Sequence, residues 1–102
     1  MLTFKSTEEQ SAWTLAEALM EKGLENMRQA EQAWETFRAG RARYRLDARA
    51  RGGTEIDGAI RWRETTQAKR ALADNEFFMA QASMYNEAAA AQYARALYLK
   101  SA

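Results

Sequence analysis

The chain has no proline, and four of its five glycines (Gly40, Gly52, Gly53, Gly58) fall between residues 40 and 58. Proline breaks helices by removing a donor and clashing with the preceding turn, and glycine weakens them. A 102-residue chain that lacks the first and confines the second can run as long helices on either side of one break. The flanks are rich in Ala, Glu, Gln, Arg, Leu and Met, the strong helix formers. The expected fold is all-α: an antiparallel two-helix hairpin, coiled-coil-like, that self-associates into a helical bundle. One domain spans 1–102, with a helix over 7–51, a turn at 52–54 and a helix over 55–100; the alternative is a looser linker from Gly40 to Gly58. Kinks are expected near Gly40 and Asp74.

Local signals set these bounds. Ser6 with Glu9 has capping-box spacing, and the acids Glu8 and Glu9 suit the positive end of a helix dipole. Gly52 or Gly53 can cap the first helix in a left-handed conformation. Thr54 with Asp57 resembles a second capping box. The sequence "LADNE" at 72–76 is a weaker signal for the kink.

Heptad counting exposes two seams. Trp13, Met20, Met27 and Trp34 form one row of the first helix, and Ala16, Gly23, Ala30 and Phe37 form the row three residues later. Leu15, Leu19 and Leu24 widen the stripe. In the second helix Ala71, Phe78, Tyr85 and Leu99 share a row that Gln92 interrupts. Ala82, Ala89 and Ala96, preceded by Asn75, share the other. Small residues once per heptad let a neighbouring helix approach closely. We take Trp13, Ala16, Met20, Gly23, Met27, Ala30, Trp34, Phe37, Phe78, Ala82, Tyr85 and Ala89 as the core and oligomer seam. Asn75 and Asn86, in or beside that seam, are expected to set register. Two helices leave much apolar surface wet, so the chain itself is the first expected partner, as a dimer or higher oligomer.

Charge is segregated. Residues 1–37 carry three basic and seven acidic groups, and 38–70 carry ten basic and four acidic groups, within a chain of net charge +1. Glu17, Glu21 and Glu25, spaced by four, share one stripe, and Glu31 and Glu35 extend it. Arg38, Arg41, Arg45 and Arg49 share a helix face, and Arg61 and Arg63 follow the bend. These six arginines are the candidate contacts for an anionic partner. Three partners fit them: an acidic protein surface, nucleic acid gripped at its phosphates with Tyr44 and Trp62 stacking on bases, or a small anion held between subunits. A structural alternative has Tyr44, Leu46, Ile56, Ile60 and Trp62 packing across the bend.

Catalysis finds no support. Histidine and cysteine are absent, which removes the commonest general base, nucleophile and metal ligands. No phosphate-binding glycine loop is present. The expectation is a non-enzymatic protein with no cofactor and no metal. It would act as a structural component, adaptor or inhibitor of another protein. The start "MLTFKSTEEQ" has no apolar run of the signal-peptide kind, and no stretch reads as a membrane span, so the expected location is the cytoplasm.

Overall fold

The computed structural model describes residue 4 and residues 6–101. Among these, every regular element is helical: α1 (Thr7–Ala50), α2 (Glu55–Arg63) and α3 (Thr66–Ser101). The long helices α1 and α3 pack against each other in each of two compact units. The first unit comprises residues up to Met27 together with those from Met79 onward. The second comprises Arg28–Phe78 and contains all of α2.

Side-chain and main-chain caps fix the helix ends. The Glu9 amide donates to Ser6 Oγ at 3.1 Å, which satisfies one orphan donor of α1. At the other end Gly52 has φ +84°, a conformation that costs a side-chain-bearing residue about 1–2 kcal/mol. The Gly53 amide reaches the Ala48 carbonyl at 2.8 Å and the Gly52 amide reaches Arg49 at 3.2 Å. This is the paired pattern of a glycine-terminated helix. Thr54 Oγ1 then accepts the Asp57 amide at 3.1 Å and starts α2.

The second helical stretch is divided, not continuous over 55–100. It breaks at Glu64 and Thr65, whereas helix runs on through both Gly40 and Asp74. The Thr65 side chain bridges the break. Its Oγ1 donates to the Trp62 carbonyl at 2.7 Å and accepts the Ala68 amide at 3.1 Å. It thus closes α2 and opens α3. Gly40 is tolerated because a helical glycine costs only about 1 kcal/mol and Trp62 occupies the space beside it. At the expected Asp74 kink, Asn75 does not cap its own backbone. Its Nδ2 donates instead to the Ala30 carbonyl of α1 at 2.9 Å.

Packing in the first unit rests on small residues. Ala12, Ala16, Gly23, Ala82, Ala89 and Ala96 are buried. A Cβ on Gly23 would overlap Asn86 Oδ1, so the backbone of α1 lies close to α3 there. Trp13 meets Tyr93 edge to face at 5.2 Å, and Lys22 lies over the Tyr85 ring.

The second unit has the larger core. Phe37, Trp62, Ala68 and Ala71 are buried, with Tyr44 and Leu72 against them. Trp62 is 1% exposed, and its ring occupies the space where a Gly40 side chain would stand. Phe37 and Tyr44 flank it at 5.9 and 5.3 Å between ring centroids. Gly58 sits directly on the Tyr44 carbonyl, which brings α2 down onto α1.

Candidate functional site

The seam residues separate by size. Ala16, Gly23, Ala30, Phe37, Ala82 and Ala89 are buried, and Phe78 and Tyr85 are half-buried. Trp13 is half-buried, while Met20, Met27 and Trp34 of the same row are exposed. The close approach of the small row leaves the large row no room between the helices, so it lies along the side.

In the first unit that side forms a groove with a methionine at each flank. Met27 of α1 and Met79, Ala82 and Ala90 of α3 line a concavity of about 380 Å³, with Ser83, Asn86 and Glu87 along its α3 side. Met20 precedes Met27 by seven residues, Leu24 precedes it by three, and Leu97 follows Ala90 by seven. All therefore lie on the same side of their helices. Each of these large side chains is exposed. Methionine is flexible and polarizable, which suits a surface that must fit another apolar surface.

The far side of α3 in the first unit mixes apolar side chains with the charges of Glu87 and Arg95. Met84, Ala91 and Tyr98 recur at seven-residue spacing, with Met84 61% and Tyr98 71% exposed. Glu87 and Arg95 are the only charged side chains from Met79 to Leu99.

The second unit holds the arginines. Arg38 pairs with Glu35 at 3.2 Å, Arg51 with Asp47 at 3.3 Å and Arg45 with Glu55 at 3.9 Å. Arg41 lies over the Phe37 ring, 5.6 Å from its centroid. Arg49, Arg61 and Arg63 are exposed, with no ion pair among the described residues, and the same holds for Arg43 and Arg70. Trp62, named with Tyr44 as a surface for stacking bases, is buried and cannot stack on one. The packing alternative is corrected as well. Tyr44 and Trp62 do pack together, but Leu46, Ile56 and Ile60 point outward, Ile56 being 72% exposed.

A second groove, of about 510 Å³, opens in this unit between α1 and α3. Ala33, Ala39 and Ala71 leave the space, Trp62 forms part of the wall, and Arg43 and Arg70 reach it from the two helices. Neither arginine is among the six named from the sequence as anion contacts, although both lie in the basic stretch 38–70 and Arg70 extends it past the bend. Their relation depends on how α2 returns the chain to α1, which no local signal records. The Trp62 Nε1–H is buried with no acceptor among the described residues. Among the described residues no cluster of acids is arranged to hold a metal ion, and no helix is long and apolar enough to cross a membrane.

The chain matches no known family model, and no curated protein or solved structure shows significant similarity to it.

Proposed function

We propose that this protein is a non-enzymatic interaction protein: an antiparallel helical hairpin that associates with further copies of itself into a bundle. In that form it serves as a structural component, adaptor or inhibitor of another protein. The observation that carries this reading is the outward placement of its large apolar side chains. Met20, Leu24, Met27, Met79 and Leu97 crowd one side of the first unit while its interior is filled by alanine and glycine. Burying a large aliphatic side chain contributes about 1.5–3 kcal/mol, so covering five that are roughly half exposed regains about 4–7 kcal/mol. That is comparable to the whole stability of a small domain, about 5–15 kcal/mol. A second pair of helices laid on this side would bury it, as in four-helix bundles.

The test is the double variant M27E/M79E, followed by circular dichroism and sedimentation equilibrium. Both side chains are exposed, so the variant keeps its helices. Its mass should fall to that of one chain at concentrations where the unaltered protein is larger. An unchanged assembly mass would refute this face as the interface.

A second reading is favoured by one observation: Arg49, Arg61 and Arg63 are exposed and free of ion pairs among the described residues. These groups suit phosphates, and the partner would be nucleic acid. One phosphate at each of these arginines gives a slope of about −3 for log affinity for duplex DNA against log salt. A flat salt dependence removes the reading.

A further inference from the structure

We propose that the groove of the second unit binds a small amphiphilic monoanion, a planar apolar body bearing one acid group. This does not rest on self-association. At about 510 Å³ the groove has the size of small-molecule sites, which run from about 300 to 1,000 Å³. It exists because Ala33, Ala39 and Ala71 are too small to fill the space between α1 and α3, and these apolar residues share its lining with Thr36 and Gln67.

Charge then selects the occupant. Arg43 and Arg70 line the groove from different helices, and neither has a carboxylate partner among the described residues. An incoming acid group therefore breaks no existing ion pair, and guanidinium forks match carboxylate geometry. Asp74 also lines the groove, one turn beyond Arg70. It leaves a net charge of one positive unit on the lining, which suits a monoanion better than a dianion. Trp62 forms part of the groove wall and is almost wholly buried, its Nε1–H included, so the anchoring of an occupant falls to the two arginines.

The probe is 1-naphthoate, titrated calorimetrically into the full chain, with 1-naphthamide as the neutral shape and acetate as the head group alone. The expected result is saturable binding at one probe per chain. Naphthamide and acetate should each bind at least about tenfold more weakly, because a charge-assisted pair is lost with the first and the apolar contact with the second. The variant R43Q/R70Q should weaken naphthoate by at least about tenfold. R49Q, which removes an unpaired arginine that does not line the groove, should leave it unchanged. All these arginines are exposed, and such substitutions generally leave stability within about 0.5 kcal/mol. Absence of saturable heat overturns the proposal, as it would if a second copy or an acidic peptide filled the groove. Equal binding of naphthamide, equal binding by R43Q/R70Q, or an equal loss in R49Q also overturns it.

Discussion

Two glycines in α1 should respond to alanine in opposite directions. A Cβ on Gly40 would lie inside the Trp62 ring, and that ring is held between Phe37 and Tyr44 with 1% of its surface exposed. The indole cannot withdraw without moving its neighbours. Overpacking of this kind costs about 1–3 kcal/mol, and the rigid surroundings favour the upper part of that range. Alanine returns about 1 kcal/mol through helix propensity. Gly40→Ala should therefore destabilise by about 1–2 kcal/mol. At Gly23 the overlapping atom is Asn86 Oδ1, the end of an exposed side chain that can rotate away. Asn86 Cγ follows at a tight 3.3 Å and moves with the same rotation, and the Ala82 carbonyl oxygen is at an ordinary 3.6 Å. The propensity gain then prevails, and Gly23→Ala should be neutral or stabilising by up to about 1 kcal/mol. Thermal denaturation followed by circular dichroism reads both, at about 4–8 °C per kcal/mol for a chain of this size. A Gly40→Ala protein that melts at or above the unaltered chain would refute the packing of Trp62 on that glycine.

The turn and the break offer two further tests. Gly52→Ala forces a side chain into the left-handed region and should cost about 1–2 kcal/mol in denaturant unfolding, with an unchanged midpoint arguing against the glycine cap. Thr65→Ala removes the hydroxyl that caps α3 and holds the Trp62 carbonyl, at a cost of about 1 kcal/mol. Thr65→Ser keeps both hydrogen bonds and should recover most of the loss, and a Ser variant no better than Ala would contradict the capping role.

Helix ends with a side chain at a fixed offset were legible in the sequence, as at Ser6 with Glu9 and Thr54 with Asp57. The Thr65 cap was not. Ala68 stands where a Glu or Gln would complete a capping box, and neither glycine nor proline marks the break. Periodicity located both rows of the α1 seam but could not rank them. Helices that approach on Ala16, Gly23 and Ala30 push Met20 and Met27 to the side, and that follows from distance, not from spacing along the chain. The aromatic residues after the bend were ambiguous for a similar reason. Trp62, Ile56 and Ile60 all look like packing residues, yet only Trp62 finds a space prepared for it, at Gly40. Arg43 and Arg70 were visible as charges. Their place on one groove became visible only in the folded chain.

The central claim is that the methionine-rich side of the first unit is covered by other copies of the chain. The most direct measurement is molar mass by light scattering after size exclusion, over a wide dilution series. The account predicts a stable multiple of 11.6 kDa that falls toward a single chain only on strong dilution. A mass of 11.6 kDa at every concentration, with the helices intact, would contradict it.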